Sequence, residues 1–202
     1  MADGASWIMP RMDSAATDEA LIARYAAGDV AAFEALYARH ELALWRFLLR
    51  LCRDRPTAEE LMQETWFAVT REAPRFRADG RFAPWLYTIA RHRVIDRHRQ
   101  RRPSVSMDAT DGEDGEPLGA RLADEHGVTP LAATERIEQG AAILAALQRL
   151  PGEQREAFVL QAEGGLSVQE IAVICGTTFE TAKSRLRYAR EKLRVLLQEY
   201  AS

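Results

Sequence analysis

Leu166-Ser-Val-Gln-Glu-Ile-Ala-Val-Ile-Cys-Gly-Thr-Thr-Phe-Glu-Thr-Ala-Lys-Ser-Arg-Leu-Arg-Tyr-Ala-Arg190 is the stretch whose reading decides the fold. Ser167 followed by Glu170 spells a capping box, in which the hydroxyl accepts an orphan amide and the carboxylate reaches back. Ile171 and Ile174 supply the apolar side of a short helix, and Gly176 suits the tight turn that ends it. Thr177-Thr-Phe-Glu180 reads as another box, opening a long final helix. A short capped helix, a glycine turn and a second capped helix make a helix-turn-helix. In the last helix Phe179, Ala182, Leu186, Ala189, Leu193, Leu196 and Tyr200 step by three or four, which predicts one continuous inner face. Lys183, Arg187, Arg190 and Arg194 form a basic stripe beside it. A recognition helix needs this division: an apolar side to hold it, and early turns free to enter the major groove. Thr178, Thr181, Lys183, Ser184, Arg185, Arg187 and Arg190 are therefore the expected duplex contacts. Arg185 is placed to read guanine bidentately. A basic helix face also occurs as a merely solvated face; here caps, turn and stripe coincide.

Upstream, helical periodicity runs from Glu135 through Ile137, Leu144 and Leu147. It breaks at Pro151-Gly152, resumes through Ala157, Phe158 and Leu160, and stops at Gly164-Gly165. Residues 103–134 break every pattern, with Pro103, Pro117, Pro130 and four glycines, and predict a flexible linker spanning roughly 30 Å as a coil. Before it, a helix starts at Asp18 and Gly28 stops it. Asp29 caps a second, whose Phe33, Leu36, His40, Leu44, Phe47 and Leu51 share a face. Pro56 and Thr57 open a third, with Thr57 and Glu60 as a capping box, and Pro74 ends it. Residues 75–81 read as a loop around Gly80. Pro84 suits the first position of a fourth helix, from Trp85 to about Arg99. No β-type alternation competes. The expected fold is all-α: two small helical domains at 18–102 and 135–202, an acidic linker at 103–134 and a disordered extension at 1–17.

The 202 residues carry a net charge of −3, unlike a freely acting, strongly basic DNA binder. That average conceals three blocks. Residues 71–102 hold ten arginines against three acids, residues 103–138 nine acids against two arginines, and residues 183–194 six basic groups against one acid. Such a bipolar layout calls for a partner. Between Arg75 and Arg102, Phe76, Phe82, Trp85 and Tyr87 alternate with Arg75, Arg77, Arg81, Arg91, Arg93, Arg97 and Arg99. Duplex DNA hides its base faces, whereas unpaired bases stack on aromatic rings for roughly 1–3 kcal/mol each while arginines follow the phosphates. The segment suits single-stranded or melting DNA, with Trp85 at least half in the core.

Two cysteines, Cys52 and Cys175, exclude a disulfide scaffold, and buried packing is their expected role. No metal-ligand spacing, phosphate-binding glycine loop or nucleophile–base pair stands out, so neither enzyme activity nor a cofactor is expected. No apolar run approaches a membrane span, and the first residues lack a signal-peptide layout, so a cytoplasmic location is expected.

Four segments, in order, resemble the extracytoplasmic-function (ECF) sigma factors of bacterial RNA polymerase. They are Ala27-Gly-Asp-Val-Ala-Ala-Phe33 with Leu36-Tyr-Ala-Arg-His40; Ala58-Glu-Glu-Leu-Met-Gln-Glu-Thr-Trp-Phe67; Phe82-Ala-Pro-Trp-Leu-Tyr-Thr-Ile-Ala-Arg91; and Leu166-Ser-Val-Gln-Glu-Ile-Ala172 followed by Lys183-Ser-Arg-Leu-Arg-Tyr-Ala-Arg190. The resemblance implies a region 2-like bundle and a region 4-like helix-turn-helix domain. It implies that Glu59, Glu60, Leu61, Gln63, Glu64 and Phe67 dock on the β′ clamp helices of core polymerase. It implies that Arg75, Phe76, Arg77, Arg81, Trp85, Tyr87, Arg91, His92, Arg93 and Arg97 melt and hold the minus-ten element. The last helix matches the minus-thirty-five reader, which lies near the β flap, and an anti-sigma factor is the implied regulator. The chain departs from the family pattern at His92, where many members carry Asn, and at Glu180 and Ala182, where Gly and Val are common. The alternative is a conventional helix-turn-helix regulator with an N-terminal sensing or dimerisation domain, which would read a palindromic site.

Overall fold

A computed structural model describes residues 16–77, 79–101 and 140–200. The expected linker, Ile137 and nearly all of the expected N-terminal extension lie outside the described residues. Helix α1 (Asp18–Ala26) starts where the Thr17 hydroxyl accepts the Ala20 N–H at 3.2 Å, and it buries Leu21 and Ile22. Gly28, with φ of 101°, turns the chain into α2 (Val30–Cys52), whose cap is the Asp29 carboxylate accepting from Ala32 at 3.3 Å, as expected. Leu36, Leu44, Phe47 and Leu48 of α2 have no solvent exposure. Arg53 ends α2 in the left-handed region, with φ of 58°.

Helix α3 (Arg55–Glu72) corrects one expectation. Its cap is Asp54, whose carboxylate accepts the Thr57 N–H at 3.0 Å; Thr57 is buried inside the first turn and its hydroxyl donates to Asp54. Pro56 presets the first turn and needs no amide partner there, so the helix starts ahead of Thr57. Glu60 accepts a hydrogen bond from Arg97 of the neighbouring helix at 2.7 Å. A 3₁₀ turn, Ala73–Arg75, carries Pro74 out of α3. Helix α4 (Phe82–Arg101) begins earlier than expected, because the Phe82 N–H donates to the Glu19 carboxylate of α1 at 3.0 Å. Pro84 then sits third in the helix, still within the turn whose amides lack intrahelical partners.

Beyond the undescribed stretch come α5, described over residues 140–148, then α6 (Gly152–Gly164), α7 (Val168–Cys175) and α8 (Phe179–Tyr200). The Ser167–Glu170 capping box is present in both directions, and Gly165 and Gly176 take φ of 60° and 62°. The start of α8 is a second correction. Thr178, not Thr177, is the cap, its hydroxyl accepting the Thr181 N–H at 3.2 Å, while Glu180 faces Lys183. The Gly176 turn uses Thr177 itself, whose N–H bonds back to Ala172, so the cap falls one residue later. Ala182, Leu186, Ala189, Leu193 and Leu196 are buried as the spacing predicts, but Phe179, in the first turn of α8, is 42% exposed.

The two helical domains share one apolar cluster. Helix α2 packs on α1 and α3 and also on α6, and α4 touches α6 and α7. Among the described residues there is no β-strand, no helix long and apolar enough to cross a membrane, and no His/Cys/Asp/Glu group suited to a metal ion.

Candidate nucleic-acid interface

The helix-turn-helix is built from α7 and α8. Burial of Ile171, Ala172 and Ile174 fixes α7, and burial of Ala182, Leu186 and Ala189 fixes the rotation of α8 against it. Thr178, Thr181 and Lys183 therefore stand exposed at the start of α8, with Ser184 half-buried beside them. Arg185 is only 19% exposed and donates to Glu153 of α6 at 2.6 Å. Arg190 donates to Gln161 at 2.6 Å, and Arg187 lies 4.7 Å from the centre of the Tyr188 ring. Thr178, Thr181 and Arg185 thus flank the buried stripe of α8 on one side and Lys183, Arg187 and Arg190 on the other, and a neighbouring acid already holds Arg185.

The aromatic–basic segment divides into a core side and an open side. Phe82 and Tyr87 are buried, and half-buried Phe76 and Trp85 pack on each other with ring centres 5.1 Å apart. Phe76 and Trp85 are the rings positioned at the surface. Tyr87 points inward, edge-on to Phe47 at 5.0 Å; its hydroxyl is buried without a partner, and burial raises its pKa. Leaving such a hydroxyl unpaired costs about 1–3 kcal/mol. Arg75 and Arg77 are extended into solvent, paired only with the nearby Glu72 and Asp79. His92 is exposed on α4, and half-buried Arg93 borders a shallow hollow with Asp96, Arg97 and Gln100.

Two arginines of this segment are held by the other domain. Arg81 meets Glu170 of α7 at 2.5 Å, and Arg91 donates to Glu156 of α6 at 2.8 and 3.4 Å. Burial alone would raise the Glu170 carboxyl, but hydrogen bonds from Ser167 together with Arg81 leave it below the usual range. Glu156 also accepts from the Cys175 thiol at 3.6 Å, and burial beside that carboxylate pushes the thiol up to about 12. Such a thiol carries almost no thiolate at neutral pH, which suits packing rather than reactivity. The acids Glu153, Glu156 and Glu170 were not legible as site partners, because each is local helix chemistry until the fold brings it to an arginine.

The third surface lies on α3. Glu59, Glu60 and Gln63 are exposed, Glu64 is half-buried, and the Phe67 ring is 73% exposed. Leu61 is fully buried, so it supports this face from beneath and is not available on it. Arg97 of α4 joins Glu60 at 2.7 Å and Glu64 at 3.3 Å, and the Glu60 bond first of all raises its pKa. Arg97 thus belongs to the acidic face of α3 as much as to the basic face of α4.

Two family models match the chain. Residues 36–103 match sigma-70 region 2 and residues 140–193 match sigma-70, region 4. The chain is 35% identical over 179 residues to the RNA polymerase sigma factor CarQ of Myxococcus xanthus, covering 87% of this chain and 95% of CarQ. It is 32% identical over 183 residues to the ECF RNA polymerase sigma factor SigM of Mycobacterium tuberculosis, covering 90% and 85%. Among solved structures it resembles CnrH in complex with the cytosolic domain of CnrY, with TM-score 0.63 and 26% identity over 90% of this chain and 97% of that one. It also resembles the sigma factor RpoE in complex with the anti-sigma factor NepR from Bartonella quintana, with TM-score 0.61 and 26% identity over 82% and 96%.

Proposed function

The chain belongs to the sigma-70 family, in its ECF branch, and from that premise we propose that it is a promoter-specificity subunit with no catalytic activity of its own. It binds core RNA polymerase, opens the minus-ten region with its first domain and reads the minus-thirty-five duplex with its second. The observation that carries this reading is the start of α8: Thr178, Thr181 and Lys183 are exposed while Ala182 and Leu186 are buried, so the helix presents a polar, cationic end to a groove.

The residue roles follow the three surfaces. On α3, Glu59, Glu60, Gln63, Glu64 and Phe67 form the docking face for the β′ clamp helices. Phe76 and Trp85 stack on unpaired bases, while Arg75, Arg77, Arg81, Arg91, His92 and Arg93 follow the strand. Thr178, Thr181, Lys183, Ser184, Arg185, Arg187 and Arg190 contact the minus-thirty-five duplex, near the β flap. The domains span 18–102 and 135–202. Each has modest affinity alone, and core polymerase fixes their separation so that two weak contacts act as one strong one. An anti-sigma factor regulates the chain by covering the docking surfaces, a reading supported by the likeness to RpoE, which is solved in complex with the anti-sigma factor NepR.

The test is reconstitution. The chain is mixed with core polymerase and a linear promoter selected from genomic DNA, and permanganate reports unpaired thymines. Promoter-dependent transcripts with reactive thymines are expected. Stable assembly with core polymerase but no opened start site on any bound promoter would refute the assignment of the first domain.

A further inference from the structure

The first amides of a helix have no intrahelical partner, and the residue just ahead of the helix normally supplies one through a short, oxygen-bearing side chain. Ahead of α4 stands Arg81, whose guanidinium only donates. The acceptor comes instead from 63 residues away: the Glu19 carboxylate of α1 takes the Phe82 N–H at 3.0 Å. This bond is charge-assisted, and it sets a negative group at the positive end of α4. Chiefly through that amide, the carboxyl lies below its ordinary range, so Glu19 is ionised at neutral pH.

The same turn of α1 is fixed on its other side. Asp18 accepts from Arg39 Nη1 of α2 at 2.9 Å and lies 2.7 Å from His40 Nε2, while Arg39 also donates to the Ala16 carbonyl at 2.7 Å. The His40 ring lies against wholly buried Phe82, with centres 5.1 Å apart. Phe82 in turn packs on Trp85 at 5.8 Å and on Phe76 at 6.2 Å. Helix α1 also packs on the 3₁₀ turn that precedes Phe76. Both ends of the loop between Phe76 and Phe82 are therefore held by α1.

We propose that Glu19 is a positioning residue for strand separation: it caps α4 from a distance and thereby fixes Phe76, Arg81 and Trp85 in the arrangement that receives an unpaired base. The inference rests on the reading of those three side chains as strand contacts. A cap from position 81 itself would need Ser, Thr, Asp or Asn there. The remote cap leaves that position to an arginine, so one residue follows the strand while another, on α1, closes the helix end. Trp85 lies in the first turn of α4, the turn that frays when its amides lose their acceptor. Burial of Phe82 and Leu86 keeps the rest of the helix in place. Loss of the Glu19 carboxylate should loosen the ring pair without unfolding the domain or disturbing α3 and α8.

Full-length Glu19→Ala, E19Q, Asp29→Ala and Trp85→Ala are each assembled with core polymerase on a promoter that the native chain opens. Permanganate reports opening, anisotropy reports core affinity, and footprinting reports the minus-thirty-five element. Asp29→Ala removes the cap of α2, a bond of the same kind in the same domain, made to Ala32 and not to Phe82. Glu19→Ala is expected to lower the opened fraction about tenfold, with core affinity and minus-thirty-five protection within about twofold of native. E19Q keeps an oxygen acceptor of equal reach and should open within about threefold of native, and Asp29→Ala within about twofold. Native-level opening by Glu19→Ala overturns the positioning role. So does an equal defect in Asp29→Ala, which would reduce the effect to general stability, or a defect in E19Q as deep as in Glu19→Ala. Trp85→Ala separates this inference from the reading beneath it. A defect there with none in Glu19→Ala removes only the role of the cap, whereas native-level opening by Trp85→Ala removes both.

Discussion

Replacing Phe67 by alanine removes a ring that leaves 73% of its surface to solvent. A buried Phe hides about 150–250 Å², so roughly 50 Å² is shielded within the folded chain. At about 25 cal/mol/Å² this shielding stabilises the fold by about 1 kcal/mol. Alanine's better helix propensity returns about half of that. Folding should therefore be nearly unchanged. If the ring is instead an anchor for core polymerase, docking buries the remaining ~150 Å², and its loss costs about 4 kcal/mol, within the range of interface hot spots. That corresponds to nearly three orders of magnitude in Kd. The assay is anisotropy of the labelled chain titrated with core polymerase, run beside thermal unfolding. A Phe67→Ala chain that melts within about 2 °C of native and still binds core polymerase within threefold refutes the placement of the docking face on α3.

Three further outcomes are expected. Arg185→Ala in the holoenzyme should weaken minus-thirty-five binding by about 1–3 kcal/mol, seen as lost footprint protection, with core affinity unchanged; equal loss of both would move Arg185 out of the duplex interface. Ser167→Ala removes the cap of α7 and should destabilise the chain by about 1 kcal/mol in urea unfolding; no shift in midpoint would contradict the capping box. The Phe82 amide holds the Glu19 carboxyl below its ordinary range. A lowered folded pKa contributes stability that is fully present above the ordinary carboxylate range and fades as pH falls through the folded value. Native and E19Q chains should thus differ at pH 7 and converge in acid; a gap that widens on acidification would reverse the assigned sign.

Local chemistry was largely legible and distant chemistry was not. Asp29, Ser167 with Glu170, Gly165 and Gly176 each needed only neighbours within four residues, and the structure has them where the spacing placed them. Thr57 failed because the helix starts three residues earlier, at Asp54, whose carboxylate accepts the amide of Thr57 itself once Pro56 has set the first turn. Phe82 failed because its cap is Glu19, 63 residues away. Tyr87 and Leu61 share periodic positions with surface residues, and only the approach of α6 and the packing of α3 turn them inward. The docking of one domain on the other was beyond reach of the sequence. Its ion pairs join Arg91 to Glu156 and Arg81 to Glu170 across an intervening segment that carries no pattern.

The continuous apolar cluster spanning both domains has a spectroscopic consequence. The four tryptophans are Trp7, Trp45, Trp66 and Trp85, so indole emission originates wholly in the first half of the chain. Far-ultraviolet ellipticity, in contrast, sums over α6, α7 and α8 as well. Melting curves from the two signals should superimpose while the halves denature as one cooperative unit, and split into two midpoints in E163Q, which loses the α6 charge paired with Arg50 of α2.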